Sequence, residues 1–177
     1  MHILYAGNVG EGQGLHKIIP ILAQKLGGRV RIKLIGGGGR LQQLQSALSL
    51  MNVDNVEVSS PMARRDLMRE YRAADILFLH LNDYKAFEKV LPSKIFEYAA
   101  LGKPILAGVS GYAAQFISEE VSNSAIFSPC DVDGAIKAFE CLSIEYTNRE
   151  NFIDKYSRKN IMKLLAEDIL SRFESKK

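Results

Sequence analysis

Apolar and polar positions along this chain follow a repeating order: a short apolar run, a glycine-rich or polar break, then a stretch with helical spacing. Residues 2–6 (HILYA) predict a strand that runs into Gly7–Gly14, where glycine fills four of eight positions. A helix is expected over 15–26, with Pro20 predicting a kink or a late helix start, since an internal proline removes a hydrogen bond. Residues 29–35 predict a second strand and 36–39 a second glycine break. Leu41, Leu44, Leu48 and Met51 then mark one face of an amphipathic helix. A strand over 56–60, a basic-faced helix over 64–73 and an apolar strand over 75–81 come next. Beyond a polar loop, a short helix with Pro92 in its first turn should be stopped by Gly102, followed by a buried strand over 105–109. The remainder predicts a helix over 111–120, a strand over 125–127 and a helix capped by Asp131 reaching about Ile144. A separate helical tail over 149–173 carries Ile161, Leu165, Ile169 and Phe173 at intervals of four, a stripe that needs something to pack on.

Strands alternating with helices six times imply an α/β fold with a doubly wound, parallel, six-stranded Rossmann-like sheet. Ligands bind such sheets beyond the carboxyl ends of the strands. The polar and glycine-rich segments 7–14, 36–39, 60–63, 81–93 and 108–112 all fall at those ends. That coincidence points to a site more firmly than any one loop does.

Bulk properties narrow the ligand. The chain has 177 residues, 47% hydrophobic and 24% charged, with a formal net charge of +3. Mild basicity suits an anionic small molecule or an acidic membrane surface and is too weak to imply nucleic acid. Cys130 and Cys141 lack metal-ligand spacing and further partners, so no metal is expected and both are read as reduced, which suggests a cytosolic setting. His2, His16 and His80 are scattered; His80, closing an apolar run, could reach a site, though a packed or capping histidine is the favoured reading. No apolar run is long enough to cross a bilayer, and no signal peptide precedes the first strand.

The most informative stretch is 85–107. It reads as a polar loop, a short helix and a buried strand. Helix N-termini attract anions, and Lys94 and Glu97, three residues apart, share a helix face. One can meet a phosphate while the other accepts hydrogen bonds from sugar hydroxyls; an ordinary capped helix with a surface ion pair is the alternative. Two nucleotide folds are set aside. A dinucleotide fold needs Gly-x-Gly-x-x-Gly and an acid after the second strand, where this chain has Gly36. A P-loop needs Gly-Lys-Ser/Thr, where this chain has Gln13-Gly-Leu15.

Several segments together resemble the donor-binding, C-terminal half of a GT-B glycosyltransferase of retaining family 4. They are Tyr5-Ala-Gly-Asn-Val-Gly-Glu-Gly-Gln-Gly-Leu15, Leu34-Ile-Gly-Gly-Gly-Gly39, Arg72-Ala-Ala-Asp-Ile-Leu77 and Lys155-Tyr-Ser-Arg158. The most specific is Pro92-Ser-Lys-Ile-Phe-Glu-Tyr-Ala-Ala-Leu-Gly-Lys-Pro-Ile105, which looks like the form found in bacterial transferases of UDP-N-acetyl amino sugars. The resemblance implies that Glu97 holds the donor ribose and that Val90, Leu91, Pro92, Ser93 and Lys94 cradle the diphosphate. It places Gly7, Asn8, Gly10, Gln13 and Gly36 against sugar and phosphates, and Pro61 and Met62 against uracil. Two departures stand out: Lys89 where the family often has a glutamate, and Asn8 and Gln13 where it often has an arginine and a lysine.

The implied function is UDP-sugar binding for transfer of a hexose or N-acetyl amino sugar to a glycan or lipid-linked acceptor in bacterial surface polysaccharide synthesis. The substrate is the UDP-sugar, with no cofactor. Residues 1–146 would form the nucleotide-sugar domain and 147–177 a helical segment packing on an N-terminal acceptor domain that this chain lacks, so the isolated chain is expected to be inactive. A cytoplasmic site, with the complete enzyme at the inner face of the membrane, fits the same resemblance. A non-catalytic binding subunit and a sugar-nucleotide epimerase of the same superfold are the other classes considered.

Overall fold

In the computed structural model, residues 1–174 are described, without the side chains of 173 and 174. Six strands, β1 (His2–Ala6), β2 (Arg31–Ile35), β3 (Val56–Ser59), β4 (Ile76–His80), β5 (Ile105–Gly108) and β6 (Ser124–Phe127), form one parallel sheet in the order β3-β2-β1-β4-β5-β6. The chain winds outward from β1 to one edge, then returns to β4 and winds to the other. The two halves meet between β1 and β4, the topological switch point.

Strand residues alternate between two cores. Ile3, Tyr5, Ile32, Leu34, Ile76, Phe78 and Leu106 face α1 (Leu15–Leu26), α2 (Leu41–Leu50) and α6 (Val132–Glu140). Leu4, Ala6, Leu77, Leu79, Ile105 and Ala107 face α3 (Arg64–Ala73), α4 (Lys94–Ala100), α5 (Gly111–Glu120) and α7 (Glu150–Tyr156). Burial on both faces is why the central strands read as continuous apolar runs.

The expected late start of the first helix is not found. Helix α1 runs from Leu15 to Leu26 with Pro20 inside it. Proline deprives the His16 carbonyl of its usual donor, but Leu15, Ile18, Ile19, Leu22, Ala23 and Leu26 are all buried and hold the helix in place. The second strand begins at Arg31, because Gly27–Arg29 form a 3₁₀ turn. Pro92 precedes α4, which starts at Lys94 after Ser93, so Pro92 is outside the first helical turn. Asp131 caps α6 as expected, its carboxylate accepting the Gly134 N–H at 2.9 Å, but the helix ends at Glu140 rather than near Ile144.

The tail is two helices rather than one. Extended backbone at Ser157 ends α7, and the Ser157 hydroxyl accepts the Asn160 N–H of α8 (Arg158–Glu174). Phe152 and Tyr156 of α7 join Phe96 of α4 and Phe116 of α5 in an aromatic cluster with centroids 4.7–6.3 Å apart. Helix α7 therefore belongs to the core of the sheet unit. Ile161, Leu165 and Ile169 of α8 stay exposed, as do Met162, Leu164 and Leu170; the fourth member of the expected stripe, the Phe173 side chain, lies outside the described residues. No described helix is long and apolar enough to cross a membrane.

Arg149 pins this tail to the sheet. Its buried guanidinium donates to the carbonyls of Ala99, Lys103, Ser122 and Asn123, at the ends of α4 and α5. Burial lowers its pKa to about 10, so it stays charged. Arg149→Met removes the guanidinium from all four carbonyls; Ala99 and Asn123 keep a backbone donor, from Gly102 and Ile105, and Lys103 and Ser122 lose the Arg149 donor. We expect a loss of about 3 kcal/mol or more, read as a lower denaturation midpoint with an unchanged m-value; an unaltered midpoint refutes the anchoring role.

Candidate functional site

At the switch point β1 and β4 pair through only two registers, Ile3 with Ile76 and Leu4 with Leu77, and then part. Parting leaves the Ala6 N–H without a strand partner on that side. Tyr98 of α4 fills the gap: its hydroxyl accepts the Ala6 N–H at 3.1 Å, and burial raises its pKa well above the usual phenol range. This hydroxyl fixes α4 against the carboxyl end of β1. Lys94 and Glu97 are carried on the same helix.

The loop after β1 lies against the loop after β2. Gly7 N–H donates to the Ile35 carbonyl (2.9 Å) and Val9 N–H to Gly37 (2.8 Å). The approach is so close that a Cβ on Gly36 would overlap the Gly7 carbonyl oxygen, and Gly36 has φ +152°. Only glycine fits there. The result is a cleft of about 330 Å³ lined by Gly7, Asn8, Gly36, Pro61, Met62 and Lys94, together with Ala6, Ile35, Gly37 and Leu67. A larger cleft of about 620 Å³ lies at the opposite, amino ends of β1, β2 and β3, lined by Arg31, Lys33, Glu57 and Glu70 among others. Size does not decide between them, because the carboxyl ends are where diverging loops gather backbone N–H groups and positive charge.

Lys94 and Glu97 form an ion pair at 2.6 Å, with 30% and 27% of the side chains exposed. Tyr71, wholly buried on α3, donates its hydroxyl to the same Glu97 oxygen at 3.4 Å. Burial first, then the Glu97 carboxylate, raises the Tyr71 pKa, so the phenol stays a donor. Arg64 lies 3.9 Å from the other Glu97 oxygen. The carboxylate is thus half-buried, with capacity left to accept further hydrogen bonds.

Six of the residues singled out in the sequence share this cleft, and Glu97 adjoins it through Lys94. Others are placed differently. Gln13 turns inward, its side-chain oxygen accepting the Gly10 N–H (3.3 Å) and the Asn8 amide (3.0 Å), so Asn8, Gly10 and Gln13 shape the loop. Val90, Leu91, Pro92 and Ser93 link a 3₁₀ turn (Lys85–Lys89) to α4. Leu91 packs against the core near Phe96 and lines a separate groove beside α5 and α8.

Sequence reasoning missed the clasp behind the loop. Buried Asn82 donates to the Glu11 carbonyl (2.7 Å) and accepts from Lys17 (2.9 Å). His80 is packed, as expected, with its ring stacked near Phe78 and Phe127. Its Nε2 accepts the Cys130 N–H (3.0 Å), so Nδ1 carries the proton and donates to the Gln13 carbonyl (2.7 Å). One imidazole thereby ties the loops after β1, β4 and β6. An apolar run ending in histidine was the only sequence signal for it.

A family model for glycosyl transferases group 1 matches residues 2–160. The chain belongs to that family. Among solved structures, the group 1 chain is similar to HepE of Anabaena in complex with UDP, at 18% identity and TM-score 0.78, over 96% of this chain and 48% of that one. It is similar to the apo form of the lipopolysaccharide outer core galactosyltransferase WaaB, at 14% identity and TM-score 0.73, over 97% and 49%. A third is S. aureus TarM in complex with fondaparinux, α-GlcNAc-glycerol and UDP, at 16% identity and TM-score 0.75, over 94% and 34%. At these identities the likeness establishes the fold, and the chain spans about half the length of the first two. Sequence comparison with curated proteins gives no match.

Burial lowers the His80 pKa from 6.5 to about 4. Between those values the unfolded chain binds a proton that the folded chain refuses, so stability falls as pH drops from 6.5 towards 4. His80 should contribute about 2 kcal/mol of the loss between pH 7.5 and 5. Urea unfolding at the two pH values measures it; His80→Gln should show a shallower decline, and an equally steep one refutes the assignment.

Proposed function

We propose that this chain is the donor-side domain of a retaining, family 4-like glycosyltransferase, binding a UDP-sugar in the cleft between the two glycine loops and α4. The observation that carries this reading is the Lys94–Glu97 pair, held by Tyr71 and set beside that cleft at the switch point. Glu97 accepts the ribose hydroxyls, Lys94 faces the diphosphate, Gly7 and Gly36 let it approach, and Pro61 and Met62 border the base. Val90 to Ser93 line the entrance to α4, and Asn8, Gly10 and Gln13 set the loop's shape. Two solved relatives in complex with UDP, HepE and TarM, support the choice of nucleotide.

Transfer needs the departing diphosphate neutralised, a task for fixed charges and dipoles that cost no reorganisation in the reaction. It also needs an acceptor hydroxyl positioned over the anomeric carbon. The donor side belongs to this chain. We assign the acceptor side to an N-terminal domain outside it, which accords with the half-length coverage of HepE and WaaB. The exposed stripe of α8, within 147–177, is the part of this chain that such a domain would cover. On this reading the sugar is a hexose or N-acetyl amino sugar, no metal or cofactor takes part, and the complete enzyme acts at the inner face of a bacterial membrane in surface polysaccharide synthesis. The isolated chain binds donor without turning it over.

Exposed Lys89, where relatives often carry a glutamate, favours a second reading: a domain that keeps donor binding and has lost transfer. Calorimetry with UDP, ADP and NAD tests the shared premise. UDP should bind in preference to the other two, and Glu97→Ala should weaken it about 10- to 100-fold, the worth of charge-assisted hydrogen bonds to ribose. Equal affinity for ADP, or no effect of the substitution, overturns the assignment of the site.

A further inference from the structure

Arg40 holds a position that the donor-site residues do not explain. It borders the N-terminus of α2, where its N–H donates to the Val9 carbonyl at 2.9 Å. From there the side chain crosses to the first glycine loop. Its Nε donates to Glu11 Oε2 at 2.5 Å and its Nη1 to Gln43 Oε1 at 3.2 Å. A guanidinium has five donors. Two are engaged among the described residues, and the side chain is 46% exposed, so three remain available to a ligand.

Glu11 is built to aim this cation. Its other oxygen accepts the Tyr84 hydroxyl (2.5 Å) and the Asn82 amide (3.1 Å). The Tyr84 hydrogen bond first, then Arg40, holds the carboxyl below the usual range, so it stays ionised. Three loops thereby converge on one carboxylate. Arg40 directly follows the second glycine loop in the chain and is hydrogen-bonded to the first, and residues of both loops, Asn8, Gly36 and Gly37, line the cleft.

Several donors around that cleft are already committed. The N–H groups of Gly7, Val9 and Gly10 are committed to Ile35, Gly37 and Gln13, and the Asn8 amide is bonded to Gln13. Lys94 is the lining cation, and it is paired with Glu97. A nucleoside diphosphate carries more charge than one paired lysine balances. Arginine's planar fork matches phosphate oxygens, and its charge is permanent.

We propose that Arg40 supplies the second cation for the donor diphosphate, with Glu11 as the residue that positions it. This rests on the donor-site reading above and adds a residue to it. Lys17 is the rival, since its ammonium also reaches the cluster, on Asn82 (2.9 Å) and over the Tyr84 ring (5.3 Å). Both of those partners belong to the loop after β4, whereas Arg40 follows the second glycine loop and is hydrogen-bonded to Val9 and Glu11 of the first, the two loops that line the cleft.

Titrating UDP and uridine against the wild-type chain, Arg40→Ala, Arg40→Lys and Lys17→Met separates the possibilities, because only UDP carries the diphosphate. Arg40→Ala should weaken UDP about tenfold or more while uridine binds as before, and Arg40→Lys should restore part of the loss. Wild-type UDP affinity in Arg40→Ala overturns the proposal, as does a loss found in Lys17→Met instead. Parallel weakening of UDP and uridine assigns Arg40 to loop structure and also overturns it. If the wild type binds neither compound, the donor site itself is refuted.

Discussion

In a doubly wound sheet, the strands beside the switch point send their following connections to opposite faces, so the groove between their carboxyl ends stays uncovered. Here β1 and β4 pair over two registers and then separate, leaving the Ala6 N–H to find another acceptor. The buried Tyr98 hydroxyl takes that role. A buried N–H without a partner costs about 1–3 kcal/mol, which makes this contact a strong constraint on where α4 sits. Because Lys94 and Glu97 ride on α4, one backbone hydrogen bond to a phenol sets the distance from the ion pair to the glycine loops.

Electrostatics in the site follow a common arrangement. Each cation is already held by an acceptor: Lys94 by Glu97, Arg40 by Glu11, Lys17 by Asn82. Such pairing limits the conformations of long side chains before a ligand arrives, so less entropy is lost on binding. On the proposed reading, an incoming diphosphate meets oriented donors instead of mobile ones, which is the condition for electrostatic preorganisation. Neutral His80 contributes no charge but fixes the rear of the first loop through two backbone contacts.

The C-terminal segment divides at Ser157 into parts with different allegiances. Arg149, Phe152 and Tyr156 bind α7 to the ends of α4 and α5 and to the aromatic cluster beneath them. Helix α8 carries its apolar residues in the open. An uncovered run of leucine and isoleucine on an otherwise well-packed group 1 domain accords with a chain that spans about half of HepE or WaaB.

Much of the architecture was legible in the sequence because it rests on local periodicity. Short apolar or alternating segments of three to seven residues marked the six strands, and their alternation with helical stretches fixed a parallel, doubly wound order. That the chain is a glycosyltransferase domain was legible too, in the Pro92–Ile105 stretch and the two glycine loops. Element ends were less so: Pro20 stays within α1 because six buried neighbours outweigh one lost hydrogen bond, and the tail breaks where the Ser157 hydroxyl caps a new helix. Spacing placed Lys94 and Glu97 on one face, but the distances that make a site depend on residues far apart in the chain. Tyr71 reaches Glu97, Tyr98 reaches Ala6, and Arg40 reaches Glu11 only once the sheet has brought its carboxyl ends together. The sequence by itself determined which elements form and which loops share an edge, since both follow from hydrophobic pattern and turn chemistry. Tertiary structure alone decided which side chains in those loops stay open to a ligand and which, like Gln13 and His80, are consumed in holding the loops in place.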